Sequence, residues 1–185
     1  ELVSLFDLKR VHHAGARFDP EKNKWFNQQH VQRLSISDFS RLCNAVIESH
    51  GFVVHDENKL NSIALMIQPR IVLTTGLWRE LVIFFEGPKR YDEKALKKVW
   101  KGNTKSLLLS VVDILSHESE ASIDLLKNAM KKIAEDSGLS LGALMGPLRV
   151  VIVGSLSGPD LFLLIKTLGT REVIKRIQFA LRAIK

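Results

Sequence analysis

Apolar residues recur about every 3.6 positions in nearly every segment of this 185-residue chain, whereas alternation with a period of two is rare. The pattern is clearest in residues 122–138, where Ile123, Leu126, Met130 and Ile133 fall on one helical face. Side chains three or four positions apart lie on the same side of a helix. The periodicity therefore predicts an all-α fold.

Residues with helix-capping chemistry stand between these periodic segments. Asp19, which precedes Pro20, is expected to cap one helix, and Asp92 and Thr104 are expected to cap two others. Gly51 and Gly138 follow periodic segments and are expected to end helices.

The final helix is expected to begin at Thr170 and to be amphipathic. Its charged residues Lys175, Arg176 and Arg182 are expected to face solvent. Its apolar residues are expected to be buried, namely Val173, Ile174, Ile177, Leu181 and Ile184.

The chain is basic, with 27 Lys and Arg against 20 Asp and Glu and a net charge of +7. Its 45% hydrophobic content suffices for a core in one domain or in two small ones. Residues 89–105 hold seven basic and two acidic residues, and residues 170–185 hold five and one. Excess positive charge favours polyanions such as nucleic acid, and the alternative is that both runs are solvated helix faces.

A single cysteine, Cys43, excludes an internal disulfide and fits a reducing cytosol, so a cytoplasmic location is expected. Its amphipathic surroundings predict a core thiol. No stretch approaches the roughly 18 apolar residues of a membrane span, and the lack of a long apolar run predicts a soluble monomer. The sequence begins at Glu1 without an initiator Met, which indicates a piece of a longer protein.

Residues 147–162 look at first like a phosphate-binding loop, because a β-branched run (150–153) precedes two glycines and a helix start. A Walker loop needs lysine and a hydroxyl residue after its second glycine. Here Gly158 is followed by Pro159 and Asp160. A helix that ends near residue 153, followed by a turn, is the better interpretation.

No other pattern in the sequence indicates catalysis or metal binding. His12 and His13 are adjacent, and the other four of the six histidines are scattered without ligand spacing. A Gly-x-Ser-x-Gly nucleophile elbow is absent too. The chain as it stands is not expected to be a catalyst.

Three segments carry motifs that occur together, in this order, in one known family. Residues 6–31 contain Arg10–Val11 and then Phe18, Asp19, Lys22, Trp25 and Asn27. Residues 66–96 contain Pro-Arg, two aromatics and Tyr-x-x-x-Ala-Leu, and residues 147–169 contain Pro-Leu-Arg, Gly, Pro-x-Leu-Phe and Leu-Gly. Over nearly its whole length the chain resembles the C-terminal part of bacterial glutamyl-tRNA synthetases, the glutamate–tRNA ligases.

The resemblance implies that residues 1–33 end a stem-contact domain. Residues 34–94 and 95–185 would be two small helical subdomains that form an anticodon-binding helix cage. Turns at 87–88 and 102–103 bracket the same boundary. The family's adenylation signatures, His-x-Gly-His and Lys-Met-Ser-Lys-Ser, are absent. The catalytic half, with its ATP and Mg, would precede this segment, and no cofactor is expected within it.

The implied partner is tRNA(Glu), and the resemblance places Arg70 where the family reads the third anticodon base. The alternative is that Arg70 is a cation at a helix end. Arg149, Gly158 and Leu161 correspond to further anticodon contacts. Because Gly158 stands where the family often has a hydroxyl residue, only backbone groups could contact a base there.

Other positions are weaker candidates for contact with tRNA. Lys131 and the basic final helix are candidates for phosphate contact. Lys22 and Trp25 are candidates for contact with the tRNA stem, although Trp25 at helical spacing is equally compatible with a core position.

Two alternative functions remain open. One is a helical protein-interaction module whose basic surface is incidental. The other is a relaxed member of the same family that also charges glutamine tRNA, and Arg70 argues against it because it would face guanine donor to donor.

We expect the chain alone neither to bind ATP nor to activate glutamate, since it lacks a phosphate-loop lysine and both adenylation signatures. Pyrophosphate exchange with a pure preparation checks this prediction. Exchange above background would show that the chain contains a catalytic centre.

Overall fold

The computed structural model describes residues 2–7, 10, 17–117 and 122–184. Within these ranges it contains eleven α-helices and no strand, which confirms the all-α prediction. The helices are α1 (Leu2–Leu5), α2 (Pro20–Arg33), α3 (Ile36–Ser49), α4 (Glu57–Ile67), α5 (Leu77–Leu81), α6 (Glu93–Val99), α7 (Thr104–His117), α8 (Ile123–Asp136), α9 (Leu141–Val153), α10 (Leu161–Leu168) and α11 (Thr170–Ala183). Short 3₁₀ turns lie at Gln68–Arg70, Thr74–Gly76 and Val82–Phe84. Val11, His12 and His13 lie outside the described residues.

Asp19, Asp92, Gly51 and Gly138 lie at helix ends, as the sequence indicates. The Asp19 carboxylate accepts hydrogen bonds from the backbone N–H groups of residues 21 and 22, at 3.0 and 3.1 Å. Asp92 caps α6 in the same way. Gly51 and Gly138 follow α3 and α8 with φ of 82° and 66°, a conformation that glycine adopts without strain. These four predictions are confirmed.

Thr104 does not cap α7. It is the first residue of that helix and is buried, with 1% of its surface exposed. Its Oγ1 accepts from the N–H of Lys101 at 2.8 Å and donates to the carbonyl of Val99 at 3.4 Å. The cap prediction was wrong because the hydroxyl stabilises the turn before the helix.

One continuous hydrophobic core extends from Val31 to Ile184. Helix α3 packs on α4 and α5, α11 packs on α7, α9 and α10, and α10 also contacts α4. Cys43 lies within this core, and burial raises the pKa of its thiol to about 12, so the core-thiol prediction is confirmed. The predicted boundary between residues 94 and 95 falls inside α6, and the division into subdomains stays a prediction.

Helix α2 is fixed to the 3₁₀ turn at Gln68–Arg70 by side-chain amides. Gln68 is buried, and its Nε2 donates to the carbonyls of Val31 and Leu34, each at 2.9 Å. Asn27 donates from Nδ2 to the carbonyl of Val72. These bonds hold the C-terminal half of α2 beside the turn that ends with Arg70.

Arg176 of α11 is buried, so the prediction that it faces solvent was wrong. Its Nη1 donates to the carbonyls of Ile83 and Ile152, at 2.8 and 3.1 Å, and its Nε donates to Glu172 at 2.8 Å. The side chain therefore joins α11 to the turn Val82–Phe84 and to the end of α9. The predicted apolar face is otherwise present, with Val173, Ile177 and Ile184 buried and Ile174 and Leu181 half-buried.

No single helix in the described ranges combines the length and the hydropathy of a membrane span. Helices α8 and α9 meet both criteria only as a pair, and the chain bends by 115° between them.

We expect Arg176→Met to lower the free energy of unfolding by about 2–5 kcal/mol, because two interior carbonyls and Glu172 lose their donor. Urea unfolding at equilibrium measures this change. Lys175→Met is the matched control, since Lys175 is 80% exposed and contacts the same Glu172. Equal midpoints for both variants would contradict a stabilising role for the buried guanidinium.

Candidate nucleic-acid interface

A cleft of about 680 Å³ separates the segment 70–83 from the loop that follows α9. Three cations line it, Lys24 of α2, Arg70 and Arg79 of α5. The opposite wall includes Ser157 and Gly158. The fold thus brings together Arg70 and Gly158, two predicted site residues that are 88 positions apart in the sequence.

The Arg70 guanidinium is held from both walls of the cleft. Its Nε donates to Oε2 of Glu80 at 2.7 Å, and its Nη1 donates to the carbonyl of Gly158 at 2.9 Å. Both the Arg70 and the Glu80 side chains are 28% exposed. Arg70 does end a 3₁₀ turn, but its contacts fix the guanidinium within the cleft.

Arg149 approaches the same loop from α9. Its Nη1 donates to the carbonyl of Pro159 at 2.6 Å. Burial lowers the pKa of Arg149, the nearby Asp160 raises it, and the charge of Arg70 lowers it further. Two guanidinium groups therefore donate to neighbouring carbonyls of this loop, those of residues 158 and 159.

Gly158 allows this close approach because it has no side chain. A Cβ at this position would lie 3.1 Å from Nη1 of Arg149 and 3.4 Å from Cγ1 of Val153. The Gly158 carbonyl already accepts a hydrogen bond from Arg70. Gly158 thus contributes only backbone groups to the cleft.

Gly154 sets the direction of the loop as it leaves α9. Its φ of 90° lies in the left-handed region, and a Cβ there would lie 2.9 Å from the carbonyl oxygen of Arg90. Its own carbonyl accepts from the N–H of Asp92 at 2.8 Å. The predicted helix up to Val153, followed by a turn, is confirmed.

Leu161 and Lys131 lie away from the cleft surface. Leu161 begins α10 with 2% of its surface exposed, so it presents little area to a base. Lys131 is on α8, where it is exposed and lies 3.6 Å from Glu135. Contact of either residue with RNA stays a prediction.

Lys22 and Trp25 lie on the exposed side of α2. Trp25 is 55% exposed, which excludes the core alternative, and its ring meets Phe26 edge to face. The Nζ of Lys22 lies 5.9 Å from the centroid of the Phe26 ring. Contact of these residues with a tRNA stem stays a prediction.

Three charged residues of the cleft were missed from the sequence, Lys24, Arg79 and Glu80. Arg79 and Glu80 belong to a mainly apolar segment, residues 77–85, that carries no motif of its own. Their position opposite the loop after α9 depends on tertiary packing. Sequence spacing carries no signal for it.

In the part of the chain that the structure describes, no group of three or more His, Cys, Asp or Glu residues is placed to hold a metal ion.

Residues 33–181 match a family model described as an anticodon binding domain. The chain is also 35% identical to a glutamate–tRNA ligase of Flavobacterium johnsoniae and 33% identical to one of Porphyromonas gingivalis. Each alignment covers 100% of this chain and 36% of the relative, so the chain spans about a third of the length of these relatives.

The chain is also similar to solved structures of glutamate–tRNA ligases. A glutamate tRNA ligase from Elizabethkingia meningosepticum, in complex with its amino acid, superposes with a TM-score of 0.87 at 34% identity, over 97% of this chain and 36% of that one. A glutamate-tRNA synthetase from Elizabethkingia anophelis superposes with a TM-score of 0.79 at 33% identity, over 96% and 34%. Because the family model matches most of its length, the chain belongs to the anticodon binding domain family.

Proposed function

We propose that this chain binds the anticodon loop of tRNA(Glu) as part of a glutamate–tRNA ligase, which joins glutamate to its tRNA with ATP. ATP and Mg²⁺ belong to the part of such a ligase that this chain does not span. The ligase would act in the cytoplasm, as a monomer. The names of the relatives and the family match support this proposal.

The observation that carries the proposal is the Arg70 guanidinium in the cleft. Glu80 and Gly158 occupy its Nε–H and one Nη1–H. Within the described residues no hydrogen bond uses Nη2, so that nitrogen and the second Nη1–H are available to a ligand. An arginine with a fixed orientation and unused donors suits recognition of a base edge.

These donors would distinguish the third anticodon base. On its Watson–Crick edge cytosine presents O2 and N3 as adjacent acceptors beside its N4–H donor, whereas guanine presents N1–H and N2–H as adjacent donors beside its O6 acceptor. Unpaired loop bases expose this edge to protein side chains. Glutamate anticodons end in C and glutamine anticodons end in G. Arg70 would therefore favour binding of the glutamate anticodon and disfavour binding of the glutamine anticodon.

The charge around the cleft fits a nucleic-acid ligand. Lys24 and Arg79 line it beside Arg70, and the chain carries a net charge of +7. Contacts between such cations and phosphates release counterions and make the affinity fall with salt. Phosphate contacts would supply affinity, and Arg70 would supply the sequence preference.

We expect Arg70→Gln to reduce the preference for stem-loop RNAs whose anticodon ends in C over those whose anticodon ends in G. Glutamine both donates and accepts, so the conflict with guanine is lost. A good side chain–base pairing is worth about 1–3 kcal/mol in DNA recognition, which implies a loss of roughly 5- to 150-fold in selectivity. Binding titrations with both RNAs at fixed salt measure the ratio.

Arg79→Gln is the matched control, because it removes the same charge from the same cleft at an exposed residue. It should weaken both RNAs alike and lower the salt slope by about one unit. If Arg70→Gln behaves in the same way, Arg70 contacts the backbone and another residue reads the base. If the wild-type chain binds neither RNA, the alternative of a helical protein-interaction module is favoured.

A further inference from the structure

Glu80 is an acidic residue in a cleft proposed to bind a polyanion. Among the described residues that line the cleft, it is the only carboxylate, and it stands beside the cations Lys24, Arg70 and Arg79. A carboxylate at this position repels phosphate and weakens RNA binding. Its presence therefore needs a reason other than affinity.

We propose that Glu80 is a positioning residue for base recognition, which keeps the Arg70 guanidinium directed at a base instead of a phosphate. This inference rests on the proposed reading of the anticodon by Arg70.

The geometry of the contact supports this role. Oε2 of Glu80 accepts the Nε–H of Arg70 at 2.7 Å, in a charge-assisted bond between two side chains that are each 28% exposed. The second tether is the neutral carbonyl of Gly158, at 2.9 Å from Nη1. Nitrogen atoms on two branches of the planar guanidinium are therefore fixed, and its orientation is defined.

Without Glu80, the guanidinium would have a different preferred partner. An arginine held by one neutral acceptor retains several rotatable bonds and can reach a phosphate oxygen, which attracts it more strongly than a neutral base does. Phosphate contacts carry no sequence information. Glu80 thus lowers the overall affinity and raises the selectivity between bases.

The test is Glu80→Ala in the full chain. The variant is titrated at several salt concentrations with two stem-loop RNAs, one whose anticodon ends in C and one whose anticodon ends in G. Immobilising one long side chain is worth roughly 2- to 10-fold in binding, and we expect the C-to-G preference to fall by about that factor. The RNA ending in G should bind more tightly than it does to the wild type. The salt slope should rise by about one unit as Arg70 moves to a phosphate.

Two variants separate positioning from charge and from stability. Glu80→Gln keeps an oxygen acceptor for the Nε–H of Arg70 and should retain most of the preference. Glu86→Ala removes a carboxylate that lies 2.6 Å from Lys89 and has no bond to Arg70. It should leave the C-to-G ratio at the wild-type value.

The outcomes distinguish a failure of the proposed base reading by Arg70 from a failure of the proposed positioning by Glu80. If the wild-type chain shows no preference for C, the proposed reading by Arg70 is wrong and the inference falls with it. If the wild type prefers C and Glu80→Ala keeps the ratio, the inference alone is wrong. Uniformly weaker binding by Glu80→Ala, with an unchanged salt slope, would also overturn it, because that result indicates a purely structural contact.

Discussion

The buried guanidinium of Arg176 is the contact on which the arrangement of the cleft depends. It binds the carbonyls of Ile83 and Ile152 at the same time. Ile83 and the neighbour of Ile152, Val153, line opposite walls of the cleft. Since a buried guanidinium holds its acceptors at hydrogen-bond distance, Arg176 limits the separation of the two walls where these residues lie.

Arg70 and Arg149 also bind backbone carbonyls through their guanidinium groups. Both donate to backbone carbonyls of the loop after α9, those of Gly158 and Pro159. These contacts order the cations before a ligand arrives, so RNA binding would require little further ordering of side chains. Glu80 completes this preorganisation, at the expense of some attraction for phosphate.

Local sequence patterns predicted the helices well, because periodicity and capping are properties of neighbouring residues. The exposure of Arg176 was predicted wrongly, because its charge was given more weight than its position on the helix. Arg176 follows Val173 by three positions and precedes Ala180 by four, on the buried face of α11, yet its charge suggested exposure. The cleft was predictable only in part. Family motifs pointed to Arg70 and Gly158, but the approach of Glu80 to Arg70 depends on how the segment 70–83 folds back, which no local pattern records.

The central claim is that Arg70 in the cleft reads the third anticodon base. Its most direct test is a crystal structure of the chain with a stem-loop RNA whose anticodon ends in C. We expect the third anticodon base within the cleft, with its acceptors at hydrogen-bond distance from Arg70 and with Glu80 still bound to Nε. RNA bound instead along the exposed lysines of α6, with the cleft unoccupied, would contradict it.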